Sequence, residues 1–166
     1  RVAMYAPVHL EGRVRFSGQD GSSSLGLGPG RGVGMRMELA FRRVLSLGVV
    51  AEWTRILSEE AWDDREKPED DMFALAPWVL VGHTFHGVAG GLTLGVSIQA
   101  GPTRWLSDEE TRRGVDFGTS AVVRLFTGPG FAVFAEAGVR HRRFTLDDGS
   151  ARFTQLAVQG GMLFGY

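Results

Sequence analysis

The stretch VGMRMELAFR, Val33 to Arg42, separates cleanly into two sets of residues. Its odd positions are Val33, Met35, Met37, Leu39 and Phe41; its even positions are Gly34, Arg36, Glu38, Ala40 and Arg42. Side chains of a strand alternate between two faces, whereas a helix would interleave the two sets, so strict period two predicts a strand with one apolar and one polar or small face. The same reading extends outward in both directions. Val8–Phe16 sets Val8, Leu10, Gly12, Val14 and Phe16 against His9, Glu11, Arg13 and Arg15. The next segment sets Leu45, Leu47, Val49, Ala51 and Trp53 against Ser46, Gly48, Val50, Glu52 and Thr54.

Five further segments follow the pattern: 73–81, 88–100, 115–125, 131–139 with Arg140 and Arg142 continuing its polar face, and 154–166. That predicts eight strands. Their connections alternate in length. Short turns are expected near 42–44, 83–87 and 127–130, and longer polar loops over 17–30, 58–71, 106–114 and 145–151. In an up-and-down meander this places the long loops at one end and both termini at the other. No linker or second domain is visible, so residues 1–166 read as a single domain, as the length allows.

Which face points inward decides between a soluble carrier barrel and a membrane barrel. The polar face is mostly small, with Gly34, Ser46, Gly48, Gly91, Gly95, Ser97, Gly118 and Gly138 typical of it, and glycine, at 24 residues, is about twice as frequent as usual. Small residues suit a crowded interior better than a watered surface. Charges of both signs are set sparsely among them: Glu11, Arg13, Arg36, Glu38, Glu52, Arg124, Glu136 and Arg140. Enclosed charges require partners, so these eight are expected to pair across the lumen. The apolar face stays free of charge for five or more alternating positions per strand, enough to cross a thin hydrocarbon layer. Lipid offers no hydrogen bonds to a free sheet edge, so such strands must close into a barrel. Aromatic residues gather near strand ends, Phe41, Phe85, Phe131 and Tyr166 at the turn end and Phe16, Trp53, Phe73 and Phe117 toward the loops, as in interfacial belts.

By strand number, loop asymmetry and charged interior, the whole chain resembles the small eight-stranded outer-membrane β-barrels, such as the OmpA transmembrane domain and OmpX. Its ending, QGGMLFGY, also resembles the C-terminal signal read by the outer-membrane assembly machinery, with Gln159, Gly161, Phe164 and Tyr166 at the defined places. The resemblance implies an all-β, eight-stranded antiparallel up-and-down transmembrane barrel in the bacterial outer membrane. It further implies periplasmic termini, a signal peptide already removed, and as partners outer-membrane lipid, lipopolysaccharide, the assembly machinery and other envelope proteins. It carries no activity with it.

Chemistry-bearing motifs are sparse. A formal net charge of -1 gives no field for nucleic acid, and the absence of cysteine removes disulfides and thiolate metal sites. His83 and His86 flank a turn without nearby acids, so no metal or cofactor is expected. His141, Ser107 and Asp148 fall toward the loop end, but no spacing motif joins them, and the chain reads as a non-enzyme. The acidic loop 58–71 lacks the order of an EF-hand. The run Gly26–Gly32 precedes a strand and lacks the Gly-Lys ending of a phosphate loop. Eight strands leave an interior only just wide enough for side chains, so Glu–Arg pairs should plug it. A structural or interaction role is therefore expected, with a narrow channel or a binder of small amphipathic molecules as the alternative, and a soluble lipocalin-like carrier or lipid A-modifying enzyme behind it.

Overall fold

The computed structural model describes residues 1–18, 21–41, 44–57, 69–87, 90–107, 110–128 and 130–165. The chain forms β1 (Val2–Gly18), β2 (Gly21–Leu27), β3 (Gly30–Phe41), β4 (Leu45–Leu57), β5 (Glu69–Gly87), β6 (Gly90–Leu106), β7 (Thr111–Gly128), β8 (Phe131–Leu146) and β9 (Gly149–Phe164). Every pairing is antiparallel, and β9 returns to β1. Nine segments nevertheless make eight staves. The upper half of β1 pairs with β2 and its lower half with β3, so these two form one stave interrupted at Gly28 and Pro29. Proline lacks the N–H that a ladder needs, which fits the break. The molecule is an eight-stranded antiparallel up-and-down barrel.

Two differences from the sequence reading have physical causes. First, three of the four expected long loops are largely strand. β2 runs back along β1 as far as the pair Gly18 and Gly21, and Asp147 and Asp148 form a two-residue turn between Leu146 and Gly149. The connection after β6 shrinks to residues 107–110. Polar sequences such as SGQDGSSSL carry little strand propensity, but pairing to a neighbouring strand overrides it. Residues 58–68 of the acidic loop lie outside the described residues.

Second, β1 contains a bulge. His9 pairs with Ala157 and Gly12 with Gln155, so Leu10 and Glu11 together face the single residue Leu156. One extra residue exchanges the faces of everything beyond it. Below the bulge Ala3, Tyr5 and His9 are buried; above it Val14 is buried and Arg13 and Arg15 are exposed. Val14 and Phe16 point into the barrel, opposite to the uniform alternation expected of Val8–Phe16.

Elsewhere the apolar face points outward. Leu39 is 68% exposed and Val33 62%, whereas Arg36 on the same strand is fully buried. The outward apolar column of β7 runs from Leu125 to Val115, about 33 Å along the strand and about 25 Å along the axis at a typical tilt, which matches the apolar band of membrane barrels. At the turn end this belt finishes on aromatic rings, with Phe131 and Phe164 packed 5.5 Å apart between β8 and β9.

Candidate functional site

Buried polar chemistry is concentrated in the lumen, which is built in layers. Nearest the turn end lies an aromatic and aliphatic floor in which Tyr5, Trp78, Leu80, Phe134 and Leu163 pack together. Trp78 and Leu80 come from β5, whose two faces are both apolar, so alternation gave no signal for them.

A first ion cluster rests on this floor. Arg36 donates to Glu136 at 2.6 Å and lies 3.4 Å from Glu38. Arg124 grips Glu38 with both terminal nitrogens, at 2.8 and 2.9 Å. Gln159 donates to the second oxygen of Glu136 at 2.7 Å. The Arg36 guanidinium stacks 4.1 Å above Trp78 and Arg124 lies 5.3 Å from the same ring, so an aromatic face carries part of the positive charge. Two arginines meet two glutamates, and the cluster is neutral.

A second cluster fills the middle of the barrel. Arg140 donates to Glu52 at 3.1 Å and to Asp116 at 2.8 Å. Arg142 donates to the same two carboxylates at 3.2 and 3.1 Å. Tyr5 and Gln99 add donors to Glu52 and Asp116 at 3.2 and 2.9 Å. This cluster is again two arginines against two acids, with His9 3.7 Å from Glu52 at its side. Glycines opposite make the room. A Cβ at Gly118 would come 2.6 Å from the Arg140 side chain, and one at Gly34 would run into the Tyr5 ring.

Above the charges the lumen becomes apolar. Val14, Leu27, Ile56, Met72, Phe144 and Phe153 form a second buried cluster, with Phe16, Leu25 and Trp105 against it. Trp105, Phe144 and Phe153 lie 5.2 to 5.5 Å apart in tilted and edge-on contacts. The cavity left here, bounded in part by Val14, Met72 and Trp105, measures about 70 Å³.

Of the eight charges read from the sequence as a lumen network, Arg36, Glu38, Glu52, Arg124, Glu136 and Arg140 are brought together inside. Glu11 and Arg13 are not: the bulge turns both out to the surface. Their places are taken by Asp116 and Arg142, which alternation had put on the inward faces of β7 and β8. At the chain end Gln159 points inward, Gly161 lies against Tyr5, and Phe164 points outward opposite Val2 and Phe131. Tyr166 lies outside the described residues. His83 is exposed with its ring 4.7 Å from Phe85, and His141 is exposed and hydrogen-bonded to Thr154 at 3.0 Å. Ser107 and Asp148 are exposed at separate hairpin tips. Among the described residues no three His, Asp or Glu side chains gather as a metal site would require.

A ring closed by the pairing of β9 with β1, an outward apolar belt and a lumen packed with paired charges define a small transmembrane β-barrel. No family model matches the chain, and no curated protein does. Among solved structures it is similar to the neisserial surface protein A, at 14% identity over 98% of this chain and 97% of that one, with a TM-score of 0.45. It is also similar to outer membrane protein OprG of Pseudomonas aeruginosa, at 10% identity, 98% and 95% coverage and a TM-score of 0.44. The N-terminal β-barrel domain of OprF from Pseudomonas aeruginosa matches at 13% identity, 95% and 96% coverage and a TM-score of 0.40.

Proposed function

We propose that the chain is an integral protein of the bacterial outer membrane, with both termini on the periplasmic side and a structural or interaction role. The observation that carries this reading is the inverted barrel. An exterior of Met35, Leu39, Val96, Val115 and Leu125 is exposed, while Arg36, Glu52, Arg124 and Arg142 are buried within. In water that exterior would be a large aggregation-prone surface; in hydrocarbon it is the favourable one.

The lumen supports a scaffold more than a conduit. Its ion clusters are each neutral and tied across strands far apart in sequence, and Trp78 lies beneath them. The apolar cavity above is far smaller than the roughly 300 Å³ at which small-molecule sites begin. The barrel would therefore present its far-end hairpins outward, with lipopolysaccharide around it and other envelope proteins as partners, and with Gln159, Gly161, Phe164 and Tyr166 serving the assembly machinery. The test is extraction and electrophoresis. The protein should need detergent, and its apparent mass on a gel should change when the sample is boiled. Solubility in plain buffer with no heat-dependent shift would overturn the reading.

A further inference from the structure

The two rims of the apolar belt differ in charge. At the turn end the outward columns finish on Phe41, Phe85, Phe131 and Phe164. At the far end most of them finish on arginine, with Asp71 of β5, paired to Arg55, an exception. The density is greatest across three adjacent strands: Arg15 of β1 stands directly opposite Arg152 of β9, which stands directly opposite Arg143 of β8. All three are exposed and share the outward face. One row nearer the belt, Arg13 faces Thr154, which faces His141. Leu10, Leu156 and Val139 lie just below.

Like charges directly opposite on neighbouring strands repel, and three in a row across about 10 Å is an arrangement a folded sheet does not choose for its own stability. Within the lumen each arginine has its carboxylate. On this patch none of the four is ion-paired to a carboxylate among the described residues. Glu11, two residues from Arg13, is exposed without such a pair, and Asp147 and Asp148 lie beyond the row in the β8–β9 turn. No described carboxylate supplies the counter-charge, and a ligand from outside the chain can. The patch sits where apolar columns meet water, so its counter-charge belongs at a lipid headgroup. Guanidinium forks suit phosphate oxygens, which they bind in bidentate fashion.

We propose that the outward face of β8, β9 and β1 at the far end is a binding site for a phosphorylated glycolipid headgroup. Arg15, Arg152 and Arg143 hold its phosphates, Arg13 and His141 flank them, and Leu10, Leu156 and Val139 receive its acyl chains. The site rests on the outer-membrane reading and gives the surrounding lipopolysaccharide a specific place on the barrel. It also fixes orientation, since it puts the arginine rim at the leaflet carrying such lipids.

The experiment titrates the detergent-folded chain with diphosphoryl lipid A, monophosphoryl lipid A and phosphatidylglycerol, and reads bound lipid by native mass spectrometry. Diphosphoryl lipid A should bind most tightly, and R15Q/R143Q/R152Q should weaken it by about tenfold or more, the scale of lost charge-assisted hydrogen bonds. The same variant should keep the heat-dependent gel shift, which separates loss of the site from loss of the barrel. Arg104→Gln, exposed on β6 and separated from the patch by β7, should change binding less than about twofold, as a screened surface charge would. Should the triple glutamine variant fail to fold, R15K/R143K/R152K replaces it, with binding weaker by roughly threefold because the fork geometry is lost. Equal binding of phosphatidylglycerol, an equal loss in Arg104→Gln, or unchanged binding in the folded triple variant would overturn the proposal. Absence of a gel shift in the unaltered chain would remove the membrane reading and the site with it.

Discussion

Arg142 and Arg143 are neighbours on β8, yet they live under opposite rules. Arg142 is buried in the lumen, where Glu52 and Asp116 answer its charge. Arg143 points outward into a row of like charges with Arg152 and Arg15. Inside, the low dielectric makes an unpaired charge intolerable, so the chain supplies every counter-ion itself. Outside, at a membrane surface, the surroundings can supply it, and no described carboxylate pairs with it. One pleat step therefore separates a side chain that serves stability from one that is free to serve recognition.

Substitutions can break this contrast, and the largest effects should lie inside. Glu136→Ala leaves Arg36 and Arg124 to share the single carboxylate of Glu38 and should cost about 3–5 kcal/mol, the scale for breaking a buried pair. Urea unfolding of the vesicle-inserted protein would measure it. Phe144→Ala opens the apolar layer where Trp105 and Phe153 meet it, with an expected loss of about 3 kcal/mol by the same assay. Gly34→Ala puts a methyl group into the Tyr5 ring and should cost about 1–3 kcal/mol through overpacking. Arg152→Gln should shift stability by less than about 0.5 kcal/mol, as an exposed charge does. A loss there as large as that of Glu136→Ala would mean that the two arginine arrays are not different in kind.

Alternation made most of this legible in advance. From Val33 onward, the parity of each strand places Arg36, Glu38, Glu52, Arg124, Glu136 and Arg140 on the face that proves to be the lumen. It failed at β1, where Val8, Leu10, Gly12, Val14 and Phe16 form an unbroken apolar series and nothing marks the extra residue at Leu10–Glu11. A bulge is a pairing event, and the partner strand β9 is about 150 residues away along the chain. The error was masked by its own symmetry. Exchanging Glu11 and Arg13 for Asp116 and Arg142 leaves the charge balance unchanged, so counting charges could not expose it. The far-end hairpins were missed for a related reason, since a polar strand at a barrel rim is held by its neighbour's backbone and need not alternate. Trp78 escaped because β5 is apolar on both faces. The arginine row of β1, β9 and β8 needed all three registers before its members could be seen side by side.

The central claim is that a membrane barrel has its lumen closed by self-neutralising ion clusters. Planar-bilayer recording of the purified, folded protein tests it most directly. The account predicts no steady unitary conductance, with currents emerging only when the clusters are dismantled, as in a folded Glu52→Gln/Arg140→Ala variant. Clear unitary currents from the unaltered protein, abolished by Glu52→Gln or Arg140→Ala, would contradict it.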